Sequence, residues 1–296
     1  MADIYSSTVE RPLTPGIATE LTPLVRRINA GNAGLMTGAG TNAYLVGCKE
    51  IAVIDPGPAL DAHVDAIIEQ AGGTIRWVLA THTHPDHSPA AKLIAARTGA
   101  ELIGCVMEDD GHQDGSFQVA ENIQHGWQLR TDEFTLEAIA TPGHVGNHFC
   151  YWLPEDQVIF TGDHIMQGTT VVIVPPSGDM ACYIESLKRL SDYPANYLAP
   201  GHGHLMSDAT AVADALVKHR LAREALVVAA LGKIGEASIE ALVEEVYADV
   251  DPALHKVAAI SLWAHLLKLE KEHKVVKQAE AHWLLGREVW CLVEAG

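Results

Sequence analysis

The residues most able to do chemistry lie within one short stretch, His82-Thr83-His84-Pro85-Asp86-His87. Four of them offer a nitrogen or oxygen donor to a metal, just after the apolar run Trp77–Ala80. Imidazole and carboxylate suit zinc, and iron and manganese also accept them. In a loop leaving a strand, His82 and His84 can point to one metal while Asp86 and His87 turn toward a second. With 16 histidines in 296 residues, chance gives such a pattern about 0.003 times per chain, so coincidence does not account for it. Further donors recur with one grammar: an apolar run, a tight glycine turn, then the donor. Thr141-Pro142-Gly143-His144 follows Phe134–Ala140, Thr161-Gly162-Asp163 follows Val158–Phe160, and Pro200-Gly201-His202 follows Tyr197–Ala199. Asp55, at the end of Ile51–Ile54, either accepts a hydrogen bond from a ligand imidazole or serves the turn at Pro56-Gly57. His148, His164 and His204 lie beside these donors and either contact substrate, move a proton or pack behind the site.

The elements that must position these donors alternate between strand and helix. Leu24–Ile28, Asn42–Val46 and Ile51–Ile54 read as strands, Asp61–Ala71 as a helix, Trp77–Ala80 as a buried strand, Ala90–Thr98 as a helix and Leu102–Cys105 as a strand. Phe134–Ala140, His148–Leu153, Val158–Thr161 and Tyr197–Ala199 read as later strands, with a helix over Tyr183–Leu190. The expectation is an α/β layered catalytic domain over residues 24–208, preceded by an extended arm over 1–23. From residue 209 to 296 the composition turns helical. Ala211–Leu231 reads as a long helix, Ser238 can cap a second, and Asp251-Pro252 is a good start for a third. In that third helix Ala253, Val257, Ile260, Ala264 and Leu267 are spaced to form a buried stripe, and Lys268, Lys271 and Lys274 follow it. Val275–Ala279 and Trp283–Leu285 suggest a closing hairpin, so the tail reads as a small winged-helix-like domain.

Composition excludes several classes. Formal charge is 20 − 38 = −18, and residues 1–208 alone carry 10 basic against 25 acidic side chains, or −15. That half is a poor match for a polyanion. No apolar run approaches the roughly 18 residues of a membrane span, so no membrane partner is expected. The first residues lack the pattern of a secretory signal. Five scattered cysteines without Cys-x-x-Cys fit a reducing cytoplasm. No Gly-x-Ser-x-Gly elbow supports a serine hydrolase. Gly31 to Gly40 form no phosphate cradle, since no Gly-Lys-Ser/Thr follows.

Taken together, His-x-His-x-Asp-His followed by a His, an Asp and a His at successive strand ends resembles the metallo-β-lactamase-fold superfamily. Gly38-Ala39-Gly40-Thr41-Asn42-Ala43-Tyr44-Leu45-Val46-Gly47 and the helical tail resemble its β-lactamase-like protein 2 branch, which carries a C-terminal winged-helix-like domain. The resemblance implies a four-layer αββα sandwich. It implies metal 1 on His82, His84 and His144, metal 2 on Asp86, His87 and His202, and Asp163 between them. Two Zn²⁺, or Fe or Mn in their place, would bridge a water and lower its pKa toward about 7. Asp86 and Asp163 are then the catalytic carboxylates, one orienting the hydroxide and carrying its proton, the other fixing the metal spacing. Antibiotic-hydrolysing members have a cysteine where this chain has Asp163, which argues against that activity. The expected activity is hydrolysis of a small ester, thioester or lactone. Cleavage of single-stranded RNA is the alternative that the branch implies, and iron-dependent persulfide dioxygenation a remoter one. The tail is expected to bury apolar surface, shape the active-site mouth or pair two chains as a homodimer rather than read nucleic acid, because its third helix shows only His255 and Lys256 near the N-terminal half.

Overall fold

The computed structural model describes residues 7–278 and 289–293. The N-terminal segment supplies two short strands, β1 (Thr8–Val9) and β2 (Thr19–Glu20). From β2 a six-stranded sheet runs through β3 (Val25–Asn29), β4 (Asn42–Val46), β5 (Glu50–Ile54), β6 (Thr74–Leu79) and β7 (Glu101–Ile103) in that spatial order. Helices α1 (Asp61–Glu69) and α2 (Ala90–Thr98) are the crossovers that let β5, β6 and β7 run parallel. The second sheet has seven strands. β8 (Gln128–Arg130), β9 (Thr135–Ala140), β10 (Phe149–Leu153) and β11 (Val158–Gly162) form an antiparallel meander. Helix α3 (Met180–Leu190) then returns the chain to β12 (Tyr197–Pro200), parallel to β11, and β13 (Leu205–Ser207) and β1 complete that edge.

Period-two alternation sets the layers. Along β4, Tyr44 and Val46 face the space between the sheets while Ala43 and Leu45 face the side of α1 and α2. Along β10, Phe149, Tyr151 and Leu153 face inward while Cys150 and Trp152 face α3. Strands buried on both faces need apolar residues at every position, so they read as unbroken apolar runs. The result is the four-layer αββα sandwich expected. Every strand that precedes a donor, β6, β9, β11 and β12, ends at the same rim of the sandwich, where the Thr41–His202 bridge joins the two sheets.

Helix α4 (Ala209–Ile234) ties the sandwich to the C-terminal part. Its first half, with Val212, Ala213 and Leu216, packs on α3. Its second half, with Val227, Ala230 and Leu231, enters a separate core with α5 (Ile239–Val246) and α6 (His255–Lys271). The Ser238 hydroxyl caps α5 by accepting from the Ala241 amide at 3.3 Å. A short 3₁₀ turn over Pro252–Leu254 precedes α6, and the Asp251 side chain accepts from the Ala253 amide at 2.9 Å. A three-stranded sheet in the order β14 (Glu236–Ser238), β16 (Val289–Leu292), β15 (Val275–Lys277) completes the winged-helix-type module.

Two expectations change here. The stripe Ala253, Val257, Ile260, Ala264, Leu267 is not the buried face of α6. Ala253 is exposed, Val257, Ile260 and Leu267 are half-buried, and burial is instead continuous over Ser261–Leu266. The reason is that α6 is packed on two sides. Ala264 joins the sandwich-side core while Leu262, Trp263, Leu266 and Leu269 join the C-terminal core. Val275–Lys277 does pair in an antiparallel ladder, but its partner is Val289–Leu292. Ala279 and Trp283–Leu285 lie outside the described residues. Among the described residues no helix is long and apolar enough to cross a membrane.

His63 gives the fold a pH dependence of its own. It is buried on α1, 3% exposed, under Pro56-Gly57. Burial pushes its pKa down to about 4. Protonation therefore favours the unfolded chain, whose histidines titrate near 6.5. This contribution is complete above about pH 6.5 and is lost as pH falls toward about 4. Urea midpoints should show that His63→Leu removes about 2 kcal/mol of the stability lost between pH 7.5 and pH 5. Equal losses in parent and variant would take His63 out of the acid response.

Candidate metal centre

The seven expected donors converge at the rim, in two groups that share one carboxylate. In the first, His84 Nδ1 lies 2.9 Å from His82 Nε2 and 3.1 Å from His144 Nε2. In the second, His87 Nε2 and His202 Nε2 lie 3.6 Å and 3.3 Å from Asp86 Oδ2. Asp163 stands between the groups. Its Oδ1 is 3.4 Å from His87 Nε2 and 3.3 Å from His202 Nε2, and its Oδ2 is 3.8 Å from His144 Nε2. Donor atoms of His82, His84 and His144, of His82, His87 and Asp163, and of Asp86, His87 and His202 each lie within 4.8 Å of one another.

Hydrogen bonds on the outer side of the rings decide which nitrogen faces the centre. Asp55 Oδ2 can only accept, so His87 Nδ1 donates to it at 3.0 Å. The Thr81 hydroxyl donates to the same oxygen at 2.8 Å and accepts from His82 Nδ1 at 3.0 Å. The Thr81 amide donates to Asp55 Oδ1 at 2.7 Å. His144 Nδ1 donates to the Val172 carbonyl at 2.8 Å, and His202 Nδ1 reaches the Gly40 carbonyl at 3.4 Å. With the Nδ1 atoms of these four rings directed outward, their Nε2 atoms face the centre, while His84 faces it through Nδ1. The glycine before His202 makes room for this. A Cβ on Gly201 would sit 2.7 Å from His87 Cε1 and 2.9 Å from Asp163 Oδ1.

This arrangement fits a cation. Lone pairs about 3 Å apart repel unless a proton or a metal lies between them. His87 Nε2, His202 Nε2 and Asp163 Oδ1 are buried and have no hydrogen-bond partner, despite their short mutual distances. The two groups also differ electrostatically. Burial, and then the neighbouring imidazoles, push His84 down to about 4 and His82 well below the usual histidine range. Burial lowers His144 as well. Those three rings are neutral, as ligands must be. Burial opposes charge on His202 too, but Asp163 and Asp86 pull it up to about 9, and Asp86, Asp163 and Asp55 raise His87. Asp86 is held at about 2 despite burial, chiefly by His87 and His202. A divalent ion can take the place of the protons that this acidic half attracts.

The remaining candidates separate clearly. Asp55 is a buried anchor for two ligand rings and not a plain turn residue. His148 and His164 are fully buried behind the donors. His148 Nδ1 pairs with the Thr141 hydroxyl at 2.9 Å and its ring lies 5.1 Å from that of His82. Burial, ahead of His144, Arg220 and Arg189, holds His164 at about 3, and its ring packs 4.8 Å from Tyr183. Neither reaches the surface, and both pack behind the donors. His204 is partly exposed beside the site, with its amide donating to Gln167 Oε1 at 3.3 Å. Sequence reasoning missed Thr81 and the carbonyls of Val172 and Gly40. Thr81 had a signal, as the residue between a strand end and the first ligand; a carbonyl has none.

Fold and donor set together define an αββα protein whose His and Asp side chains are positioned for a metal at the sandwich rim. The chain belongs to the metallo-beta-lactamase superfamily, whose model matches residues 36–202. The beta-lactamase associated winged helix domain matches residues 238–283. The chain is 29% identical over 259 residues to a beta-lactamase-like protein 2 homolog of Caenorhabditis elegans, covering 86% of each. It is 31% identical over 288 residues to an atrochrysone carboxyl ACP thioesterase of Aspergillus chevalieri, covering 92% of this chain and 88% of that protein. The fold is also that of a beta-lactamase domain protein from Burkholderia ambifaria, with a TM-score of 0.79, 96% of each chain covered and 19% identity.

The role of Asp55 is directly testable. Asp55→Asn keeps the shape but replaces one acceptor oxygen by a donor, so at least one of its three bonds must fail. Chelator competition should show metal affinity about 10–100-fold weaker. Unchanged affinity would mean that the ligand rings hold their orientation without it.

Proposed function

We propose that the protein is a dinuclear metal-dependent hydrolase, with zinc as the metal, acting on a small ester, thioester or lactone. The observation that carries this reading is Asp163, whose two oxygens face two different donor groups. His82, His84 and His144 would hold one ion, and Asp86, His87 and His202 the other. Bound metal would supply Lewis-acid polarisation and an activated water near neutral pH. The chain's own residues do the rest. Asp163 fixes the separation of the two groups. Asp86 is the more open carboxylate, 28% exposed against 11% for Asp163, so its oxygens are reachable by a water proton. Asp55, through His87 and Thr81, keeps the rings from turning. No side-chain nucleophile is needed.

The substrate class is argued from charge and from kinship. A relative named as a thioesterase aligns over nearly the whole chain, which favours acyl compounds. Net charge of −18 disfavours a polyanion. The lysines at the end of α6 face acids of this chain. Lys268 pairs with Glu224 and Glu272 at 2.7 Å, Lys271 with Asp179 at 2.6 Å, and Lys274 with Glu272 at 2.8 Å. Persulfide oxygenation by a single iron would leave the Asp86, His87 and His202 group without a role.

A panel of thioester, ester and lactone substrates, with labelled single-stranded RNA beside it, tests this on zinc-loaded protein. The parent should hydrolyse at least one acyl compound. His84→Ala should lose metal and all hydrolysis. Asp86→Asn should keep much of the metal and lose about 10²–10⁴-fold in rate, the range for proton transfer. RNA cleavage without acyl hydrolysis would move the protein to the nucleases, and an undiminished Asp86→Asn rate would remove Asp86 from proton transfer.

A further inference from the structure

We infer that the winged-helix-type module is a working part of the metal centre, with Arg220 and Lys271 as positioning residues for the ligand His144. The inference rests on reading His82, His84 and His144 as a metal site. His144 is held at two points, and both lead into the C-terminal module.

The first is its ring. Nδ1 donates to the carbonyl of Val172, in the irregular segment between β11 and α3. A carbonyl outside helix or sheet keeps its aim only if its neighbours are fixed. Val171 and Ile173 point the other way and are buried in the core beneath α3 and α4. The Val171 carbonyl accepts from Arg220 Nη2 at 2.6 Å. Arg220 lies on α4, is 3% exposed, and its guanidinium sits 5.1 Å from the centre of the Tyr183 ring. A charged group so deeply buried is costly unless it is paired, and its hydrogen-bond partner here is the peptide next to the one that orients His144.

The second point is the backbone. Gly143 has no room for a side chain, since a Cβ there would collide with the backbone of Tyr183 on α3. Its carbonyl accepts from the Asp179 amide at 2.8 Å. Asp179 caps α3, with Oδ1 accepting from the Ala181 and Cys182 amides at 2.8 Å and 2.9 Å. Its other oxygen pairs with Lys271 at the end of α6, at 2.6 Å. The two bracing helices are themselves joined, because Glu224, one turn beyond Arg220, pairs with Lys268, one turn before Lys271. Helix α4, which the module shares with the sandwich, and α6 of the module thus grip the same ligand from its ring side and its backbone side.

Cobalt substitution tests this, with affinity by chelator competition and the visible d–d spectrum as readouts. Arg220→Met keeps the apolar stem and removes the donor. It should weaken cobalt binding about tenfold, at the lower end of the range for groups that orient metal ligands, and alter the spectrum. Lys271→Met changes a side chain that is 68% exposed, so it should fold like the parent. It should weaken binding about threefold, below that range because it acts through Asp179 and an exposed ion pair contributes little, and Lys271→Arg should restore both readouts. Parent-like affinity and spectrum in folded Arg220→Met would overturn the inference, even if its urea midpoint fell. Should Arg220→Met not fold, the same result in Lys271→Met would overturn it. A parent that takes up no cobalt would instead overturn the metal-site reading on which the inference stands.

Discussion

Nearly everything at the rim depends on one buried carboxylate. Asp55 leaves β5 with a φ of +50°, a left-handed conformation that aspartate tolerates better than most residues. That turn carries its side chain under the first ligand loop. There it accepts from the Thr81 amide, the Thr81 hydroxyl and His87 Nδ1. Through Thr81 it also sets His82. One oxygen thereby fixes a ring from each donor group, and the two groups cannot rotate independently. Both rings then expose Nε2 inward, and the centre becomes a set of converging lone pairs. Such a set is unfavourable without a cation, so the sandwich must hold it in place.

The sandwich does so by its topology. β6, β9, β11 and β12 end on one rim, and each donates its ligand in the few residues after its last ladder bond. The sheets are stitched together there as well. The Phe149 amide donates to the Thr81 carbonyl at 2.7 Å, the Tyr44 hydroxyl to the Pro200 carbonyl at 2.7 Å, and Asn42 Nδ2 to the carbonyls of Pro200 and Gly203. These bonds join ligand-bearing loops to strands of the opposite sheet. The outward ring nitrogens of His82, His87, His144 and His202 are paired, while the inward Nε2 atoms of His87 and His202 and Oδ1 of Asp163 are not. That contrast separates a binding centre from a badly packed core.

What the sequence made legible follows from this geometry. His82, His84, Asp86 and His87 are close in the chain, and the other three donors follow apolar runs and glycines, so the set could be read without coordinates. Alternation hidden inside unbroken apolar strands left the layers legible only through chain order and resemblance. The buried face of α6 was misread because one helix contacts two cores, and a single stripe describes only one. Asp55 was visible as a choice between two roles, which only its contacts decide. The carbonyls of Val172 and Gly40 were invisible in principle, since every residue has a carbonyl. His148 and His164 looked like site residues because their type and place in the chain match those of ligands; full burial makes them walls.

The C-terminal module has a charge pattern that bears on its purpose. A winged helix that reads nucleic acid keeps its cations outward, for phosphates. Here Arg220 donates to the Val171 carbonyl, Arg223 pairs with Asp249 at 2.8 Å and stacks on Tyr247, Lys268 lies between Glu224 and Glu272, and Lys271 reaches across to α3. These four cations of α4 and α6 pair with the module's own acids and with the frame of the sandwich. Helix α4 belongs to both cores at once and so ties the module to the sandwich through one continuous helix. Its contacts with the sandwich, through Arg220 and Lys271, are those that the bracing role inferred above requires.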